Sequence, residues 1–312
     1  MRISDHIVVA VDFSEPSRIA VRAAQKMAEI TKARQLTVMH ALRPTVLPHG
    51  KQPELTRRLV ELRGRIHDAA RDQMNKMVGD MSQSAFTVDT KVVEGMPARV
   101  IPAAARDLGA TMLAVGTHAR RGVRRWLKGS VVESMLPHLH LPTLVFAVGD
   151  DNAMPDVELA SLKHVTIALD TQDSAQLVAN RARTILMGLS ERPKVTLTTV
   201  VDVDSVQLAP DPGLVSQVRS LIEDDARTRL GQMRNAFVAD GFEVEVEVRT
   251  GDIEDEILAV AAATPSQMII MGTHGSGEAL VNFSSMAADV IRHSQVSVLV
   301  LPCHPGLEPP QS

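Results

Sequence analysis

Ala114-Val115-Gly116-Thr117-His118-Ala119 closes an apolar run in the first half of the chain, and Ile270-Met271-Gly272-Thr273-His274-Gly275 closes one in the second half, 156 positions later. The correspondence continues upstream. His6-Ile7-Val8-Val9-Ala10-Val11-Asp12 matches His164-Val165-Thr166-Ile167-Ala168-Leu169-Asp170, and Val93-Glu94-Gly95 matches Arg249-Thr250-Gly251. Three anchors at a nearly constant offset mark a duplicated domain, because the period far exceeds the roughly 20–50 residues of solenoid units. At 312 residues the chain is long enough for two domains that each bury a core. The expected limits are 1–149 for copy one and 163–303 for copy two. A polar, breaker-rich linker over 150–162 joins them, and a Pro-rich tail runs over 304–312.

Each copy alternates short β-rich runs with longer amphipathic segments, the pattern of a parallel sheet covered by helices. Copy one reads as strands near 6–11, 35–40, 86–93, 111–115 and 143–147, with helices near 16–31, 54–80, 97–108 and 130–138. Copy two reads as strands near 164–169, 194–201, 242–249, 267–271 and 297–301, with helices near 173–188, 214–239, 253–263 and 286–293. Ser14 before Glu15-Pro16 reads as an N-cap followed by Pro at N1. Gly109 reads as the C′ residue of the third helix. The short apolar strands at 143–147 and 297–301 are edges that could satisfy each other by pairing, making the two copies an intramolecular pseudo-dimer.

The composition narrows the function. There is no Tyr, one Trp and six Phe, so stacking platforms for single-stranded nucleic acid are scarce and nucleic acid is not an expected partner. The lone Cys303 excludes an internal disulfide and fits a reducing compartment. No Cys/His spacing resembles a zinc site. The apolar run Ile7 to Val11 is ended by Asp12, which is not the form of a signal peptide, and no run approaches the roughly 20 apolar residues of a membrane helix. The expectation is a cytoplasmic protein with no membrane partner. The net charge of −4 divides unevenly: residues 1–150 carry 22 Lys/Arg against 14 Asp/Glu, net +8, and residues 151–312 carry 11 against 23, net −12. The opposite charges can help the halves pack and the first half alone can bind an anion; the two readings are compatible.

Open parallel sheets bind ligands at the carboxyl ends of their strands. In copy one Asp12 ends the first strand and His40-Ala41 ends the second. The fourth strand runs into Gly116-Thr117-His118-Ala119, followed after nine residues by Gly129-Ser130-Val131 at the start of a helix. Glycines admit phosphate oxygens close to the backbone, and a helix N-terminus offers free N–H groups. Arg120, Arg121, Arg124, Arg125 and Lys128 lie between, as a phosphate rim or as a solvated face. Asp12 and Asp170 serve a ligand or only the turn that follows their strands. His118 and His274 read as loop histidines.

The spacing Gly116-x2-Ala119-x9-Gly129-Ser130, with a first strand ending in Val11-Asp12-Phe13-Ser14-Glu15-Pro16-Ser17, resembles the G-x2-G-x9-G-(S/T) motif of the universal stress protein family. The resemblance extends over nearly the whole chain as two tandem copies. It implies an α/β, Rossmann-like fold with a five-stranded parallel sheet in the order 3-2-1-4-5. It also implies homodimers through the fifth strand in single-domain members, so that pseudo-dimer and homodimer are both open here. In one subclass it implies ATP or a related adenine nucleotide, with Mg accompanying it. By position, Val11, Asp12 and Ala41 would border base and ribose, and Gly116, Thr117, His118, Ala119, Gly129, Ser130 and Val131 would meet ribose and phosphates. The second motif glycine is Ala119; if that position needs a positive φ, Ala costs about 1–2 kcal/mol.

Copy two departs further. Ser285-Met286 replaces Gly129-Ser130, and Ser276 to Phe283 contains Glu278 and no Lys or Arg. It reads as a structural or regulatory domain, or as the carrier of a less polar ligand. No Walker A loop, nucleophile elbow or H-E-x-x-H is present, so no catalytic residue is expected beyond very slow ATP hydrolysis. The expected function is a stress-response protein with one nucleotide site in copy one. The alternative is a nucleotide-free interaction scaffold.

Overall fold

The computed structural model describes residues 5–44, 53–81, 85–118, 131–148, 162–170, 174–189, 191–202, 212–273 and 280–303. Copy one runs β1 (His6–Val11), α1 (Glu15–Thr31), β2 (Gln35–Leu42), α2 (Pro53–Val78), β3 (Thr87–Glu94), α3 (Pro97–Asp107), β4 (Met112–His118), α4 (Val131–Met135) and β5 (Thr143–Val148). Copy two repeats the series as β6 (His164–Ala168), α5 (Ser174–Met187), β7 (Lys194–Asp202), α6 (Pro212–Ala239), β8 (Val244–Gly251), α7 (Ile253–Ala263), β9 (Met268–Gly272), α8 (Leu280–His293) and β10 (Ser297–Leu301).

All ten strands form one sheet in the order β3-β2-β1-β4-β5-β10-β9-β6-β7-β8. Each half has the order 3-2-1-4-5, and every pairing within a half is parallel. The central strands are buried on both faces, which is why β1 and β6 read as continuous apolar runs rather than alternating ones. Helices α1, α2, α5 and α6 share one face and its core, including Ala24, Met74, Ala182 and Phe237. Helices α3, α4, α7 and α8 cover the other, including Ile101, Met135, Ile257 and Val290.

The halves meet where β5 and β10 pair antiparallel, with Val145 opposite Val298, Leu144 opposite Leu299 and Thr143 opposite Val300. The expected pseudo-dimer is thus realised inside one chain. The ion pair that reinforces it runs against the overall charge split. Glu133 on α4 of the basic half accepts from Arg292 on α8 of the acidic half, at 2.7 Å from Nη2 and 3.2 Å from Nε. Their side chains are only 16% and 23% exposed, so solvent screens the pair weakly. Glu133→Ala should lower unfolding stability by about 1.5–3 kcal/mol, the range for a hydrogen bond to a charged group. Urea denaturation against the parent protein measures it.

Three local readings are corrected. Helix α8 starts at Leu280, not near 286: without a glycine at position 285, nothing in Leu280 to Ser284 stops the helix from propagating upstream. The helix expected over 130–138 is a five-residue α4 followed by a 3₁₀ turn at Leu136–His138, because Pro137 has no N–H to continue the α-helical ladder. Ser14 holds the N-cap position, but its side chain makes no cap hydrogen bond, and helix α1 begins at Glu15, which puts Pro16 second. Gly109, at φ +68, follows the C-cap Leu108 as expected.

The duplication reaches the level of single hydrogen bonds. The His6 ring Nε2 lies 2.8 Å from the Thr37 hydroxyl, and the His164 ring Nε2 lies 2.8 Å from the Thr196 hydroxyl. Burial holds both imidazoles below their ordinary value of 6.5, and for His164 the Lys194 ammonium adds to the lowering. A histidine with a depressed folded pKa binds fewer protons than it does in the unfolded chain. Its contribution is therefore complete above the ordinary value and is lost as pH falls below it toward the folded value. The urea midpoint should drop between about pH 7 and pH 5, and drop less in a His6→Gln, His164→Gln double variant.

Candidate functional site

The site begins with the way β1 ends. Asp12 follows the last buried residue of the strand, and its Oδ1 accepts from the Ser14 N–H at 3.0 Å and from the Ser14 hydroxyl. Burial pushes the Asp12 carboxyl up, but donation from the Ser14 hydroxyl, the Ser14 N–H and Ser17 outweighs it and holds the group below its ordinary value. Asp12 is therefore an ionised acceptor at neutral pH. The turn it organises places Phe13 at φ 66, a left-handed conformation that costs a residue other than glycine about 1–2 kcal/mol. Phe13 uses that conformation to lay its ring on His40, with centroids 4.4 Å apart. His40 Nδ1 lies 2.7 Å from the Val11 carbonyl, which can only accept, so Nδ1 carries the proton.

Beside this turn lies a cavity of about 100 Å³ at the carboxyl ends of β1, β2 and β4. It is closed by α3 and α4 and lined by Ala10, Val11, Asp12, Ser17, His40, Ala41, Pro97, Ile101, Val115, Gly116, Val131, Val132 and Met135. The five residues that the resemblance assigned to a nucleotide and the structure describes in the lining meet here, Val11, Asp12, Ala41, Gly116 and Val131, together with His40 from the end of the second strand. Thr117 and His118 continue β4 beyond the cavity, paired with Ala147 and Val148. Ala119, Arg120, Arg121, Arg124, Arg125, Lys128, Gly129 and Ser130 lie outside the described residues. Helix α4 is short, so the weight placed on a helix N-terminus passes to the walls of the cavity.

Gly116 also answers to packing. A Cβ there would lie 2.2 Å from the Pro16 carbonyl oxygen and 3.2 Å from the Ala20 Cβ, so this glycine lets α1 sit directly on β4. The sequence reading missed Ser17, Pro97, Ile101, Val132 and Met135. The signal for Pro97 and Ile101 was the repeated Gly95 and Gly251. At φ +140 and φ +154, these glycines turn the chain from β3 into α3 and from β8 into α7. Gly116→Ala should destabilise by about 1–3 kcal/mol through overpacking. Gly64→Ala, in open space on α2, should stabilise by about 0.5–1 kcal/mol through helix propensity. Paired urea melts distinguish the two.

A family model of the universal stress protein family matches residues 4–147 and again 161–302. The chain belongs to the universal stress protein family. Among curated relatives, a universal stress protein of Methanocaldococcus jannaschii is 23% identical over 150 residues, covering 45% of this chain and 92% of its own. A universal stress protein from Archaeoglobus fulgidus has the same fold over 97% of this chain and 98% of its own, with 18% identity and a TM-score of 0.66. The structure of a Pseudomonas aeruginosa protein has the same fold over 96% of this chain and 93% of its own, with 14% identity and a TM-score of 0.58. The tandem arrangement therefore recurs along whole chains.

Proposed function

We propose that copy one is a non-catalytic sensor of adenine nucleotide within a cytoplasmic stress-response protein. In this reading residues 1–149 hold one ATP or related nucleotide, its Mg arriving with the phosphates, and residues 163–303 do not. One observation carries the proposal. Val11, Asp12, Ala41, Gly116 and Val131 come from four separate segments, and the family resemblance assigns all five to a nucleotide; here they line a single cavity. Its apolar walls, Ala10, Val115, Ile101 and Met135, suit a planar base. The ionised Asp12 at its rim suits ribose hydroxyls, which donate to it. The net +8 of residues 1–150 and the Arg120, Arg121, Arg124, Arg125 rim suit phosphates.

The same geometry argues against catalysis. Among the described residues Asp12 is the carboxylate of the lining, and hydrogen bonds hold its pKa down, which makes it a weak general base. The His40 proton is engaged with the Val11 carbonyl. Among the described residues no helix is long and apolar enough to cross a membrane, and no group of three His, Cys, Asp or Glu side chains could hold a metal ion.

Isothermal titration of the full chain with ATP should give about one site. Asp12→Asn should weaken it tenfold or more, since about 1.4 kcal/mol is one decade. Asp170→Asn should leave it unchanged. Binding should fall with added salt, and fall less steeply in an Arg124→Ala, Arg125→Ala double variant. Two equal sites, or indifference to Asp12→Asn, would reject the reading. No binding at all would favour the scaffold alternative.

A further inference from the structure

Two helices outrun the strands they cover. Arg63 on α2 donates from Nε to Glu94, the last residue of β3, at 3.0 Å, so the part of α2 before Arg63 projects past the carboxyl end of that strand. Copy two repeats the arrangement. The Thr250 hydroxyl, beside the end of β8, donates to Glu223 at 2.9 Å, and α6 begins well before Glu223, at Pro212. The buried apolar residues of the two helices, Ala70 and Met74 on α2 and Ala226, Leu230, Met233 and Phe237 on α6, all lie on the sheet side of these anchors. The projecting arms are nevertheless apolar along one stripe. Leu55, Leu59, Leu62 and Ile66 on α2, and Leu214, Val218 and Leu221 on α6, follow the alternating steps of four and three residues that form the seam of paired helices. Leu62 is 49% exposed and Leu221 is 70% exposed.

We propose that these arms are the interface with a second copy of the chain, the α2 arm of each chain pairing with the α6 arm of the other. The seam spacing calls for a helix as partner, and charge selects which one. Residues 53–66 carry four Arg against two Glu, net +2, and residues 212–225 carry one Arg against Glu223, Asp224 and Asp225, net −2. Exposed pairs within each helix, such as Arg58 with Glu54 and Arg227 with Asp224, are worth little and leave these net charges in place. Pairing α2 with α2 would instead set Arg58 and Arg65 against their own copies, and like charges facing each other are costly.

The two arms cannot meet within one chain. Helix α2 packs on β2 and β3 and α6 on β7 and β8, at the two ends of the strand order, and the antiparallel junction makes the arms project past opposite margins of the sheet. Both helices lie on the same face. A two-fold axis in the plane of that face sets each α2 arm against the partner's α6 arm, so the dimer closes with two equivalent contacts and leaves neither arm over. The fifth strands, through which the family resemblance implies dimers of single-domain members, are already joined inside this chain, so a second copy must use another surface. An anionic surface such as a nucleic acid would suit the α2 arm and be repelled by the α6 arm. This interface is independent of the nucleotide reading, which concerns the carboxyl ends of β1, β2 and β4.

The test is sedimentation velocity on the full chain over a concentration series, with variants that exchange charge. The parent should be a dimer, and a Leu62→Glu, Leu221→Glu double variant should be a monomer with the parent's far-UV circular dichroism. Arg58→Glu with Arg65→Glu makes both arms acidic, and Asp224→Lys with Asp225→Lys makes both arms basic. Each of these double variants alone should dimerise at least about tenfold more weakly, because like charges then face each other at both contacts. An equal mixture of the two should dimerise again, since each contact regains one acidic and one basic arm, and that recovery also shows that both variants are folded. A parent that is monomeric throughout the series overturns the proposal. So does an Asp224→Lys, Asp225→Lys variant that dimerises as the parent does, which is the result for α2 paired with α2 or for an interface elsewhere. A mixture that stays monomeric overturns it as well.

Discussion

The antiparallel junction of β5 with β10 is the constraint on which the molecule depends. Each copy is a five-stranded sheet whose fifth strand is apolar and would expose a row of unpaired N–H and C=O groups if left alone. Joining Thr143, Leu144 and Val145 to Val300, Leu299 and Val298 removes both edges at once. The remaining edges, β3 and β8, carry Asp89, Lys91 and Glu94, or Glu245, Glu247 and Arg249, which discourage further pairing. Pairing the fifth strands antiparallel also fixes the faces. It puts α1, α2, α5 and α6 on one side and α3, α4, α7 and α8 on the other, so that Glu133 and Arg292 meet.

That arrangement binds the site of one copy to the frame of both. Helix α4 supplies Val131, Val132 and Met135 to the cavity of copy one, and the same short helix holds Glu133 for Arg292 of copy two. A change in either copy that moved α8 would therefore press on the wall of the copy-one cavity. The duplicated His6–Thr37 and His164–Thr196 pairs are far less free to diverge, because each is buried beneath its own half of the sheet. The matched His40 and Thr199 sit instead toward the carboxyl ends of β2 and β7, and each lines a cavity.

The fold was largely legible in the sequence because its signals are local and repeated. Apolar runs such as Ile7 to Val11 announce strands buried on both faces, and Gly109 announces a helix end. Strand order came from family resemblance, and the β5–β10 pairing came from two apolar edges needing partners. One error arose where a stop signal was inferred by analogy: Ser285-Met286 was aligned with a loop-to-helix junction, yet without the glycine the helix simply begins earlier. The site was half legible. Residues at strand ends, Val11, Asp12, Ala41 and Gly116, follow from sheet topology. Ile101, Val132 and Met135 sit on helix faces whose orientation depends on tertiary packing, and no local pattern separates their role from ordinary core.

Asp12 and Gly116 show why residues that line a site can be mistaken for residues kept only by folding, and the reverse. Asp12 binds the backbone of its own turn and so would be retained for the turn alone, yet that turn aims Phe13 at His40 and leaves an ionised oxygen at the cavity rim. Gly116 would be retained because Pro16 leaves no room for a Cβ, yet the same bare backbone forms part of the cavity wall. Copy two separates the two demands. It keeps Asp170, with Ser174 donating to it, and keeps Gly272, while the residues matched to Phe13 and His40 become Thr171 and Thr199. The folding requirement is met in both copies, so the aromatic pair that only copy one keeps marks where the chemistry of their strand ends parts.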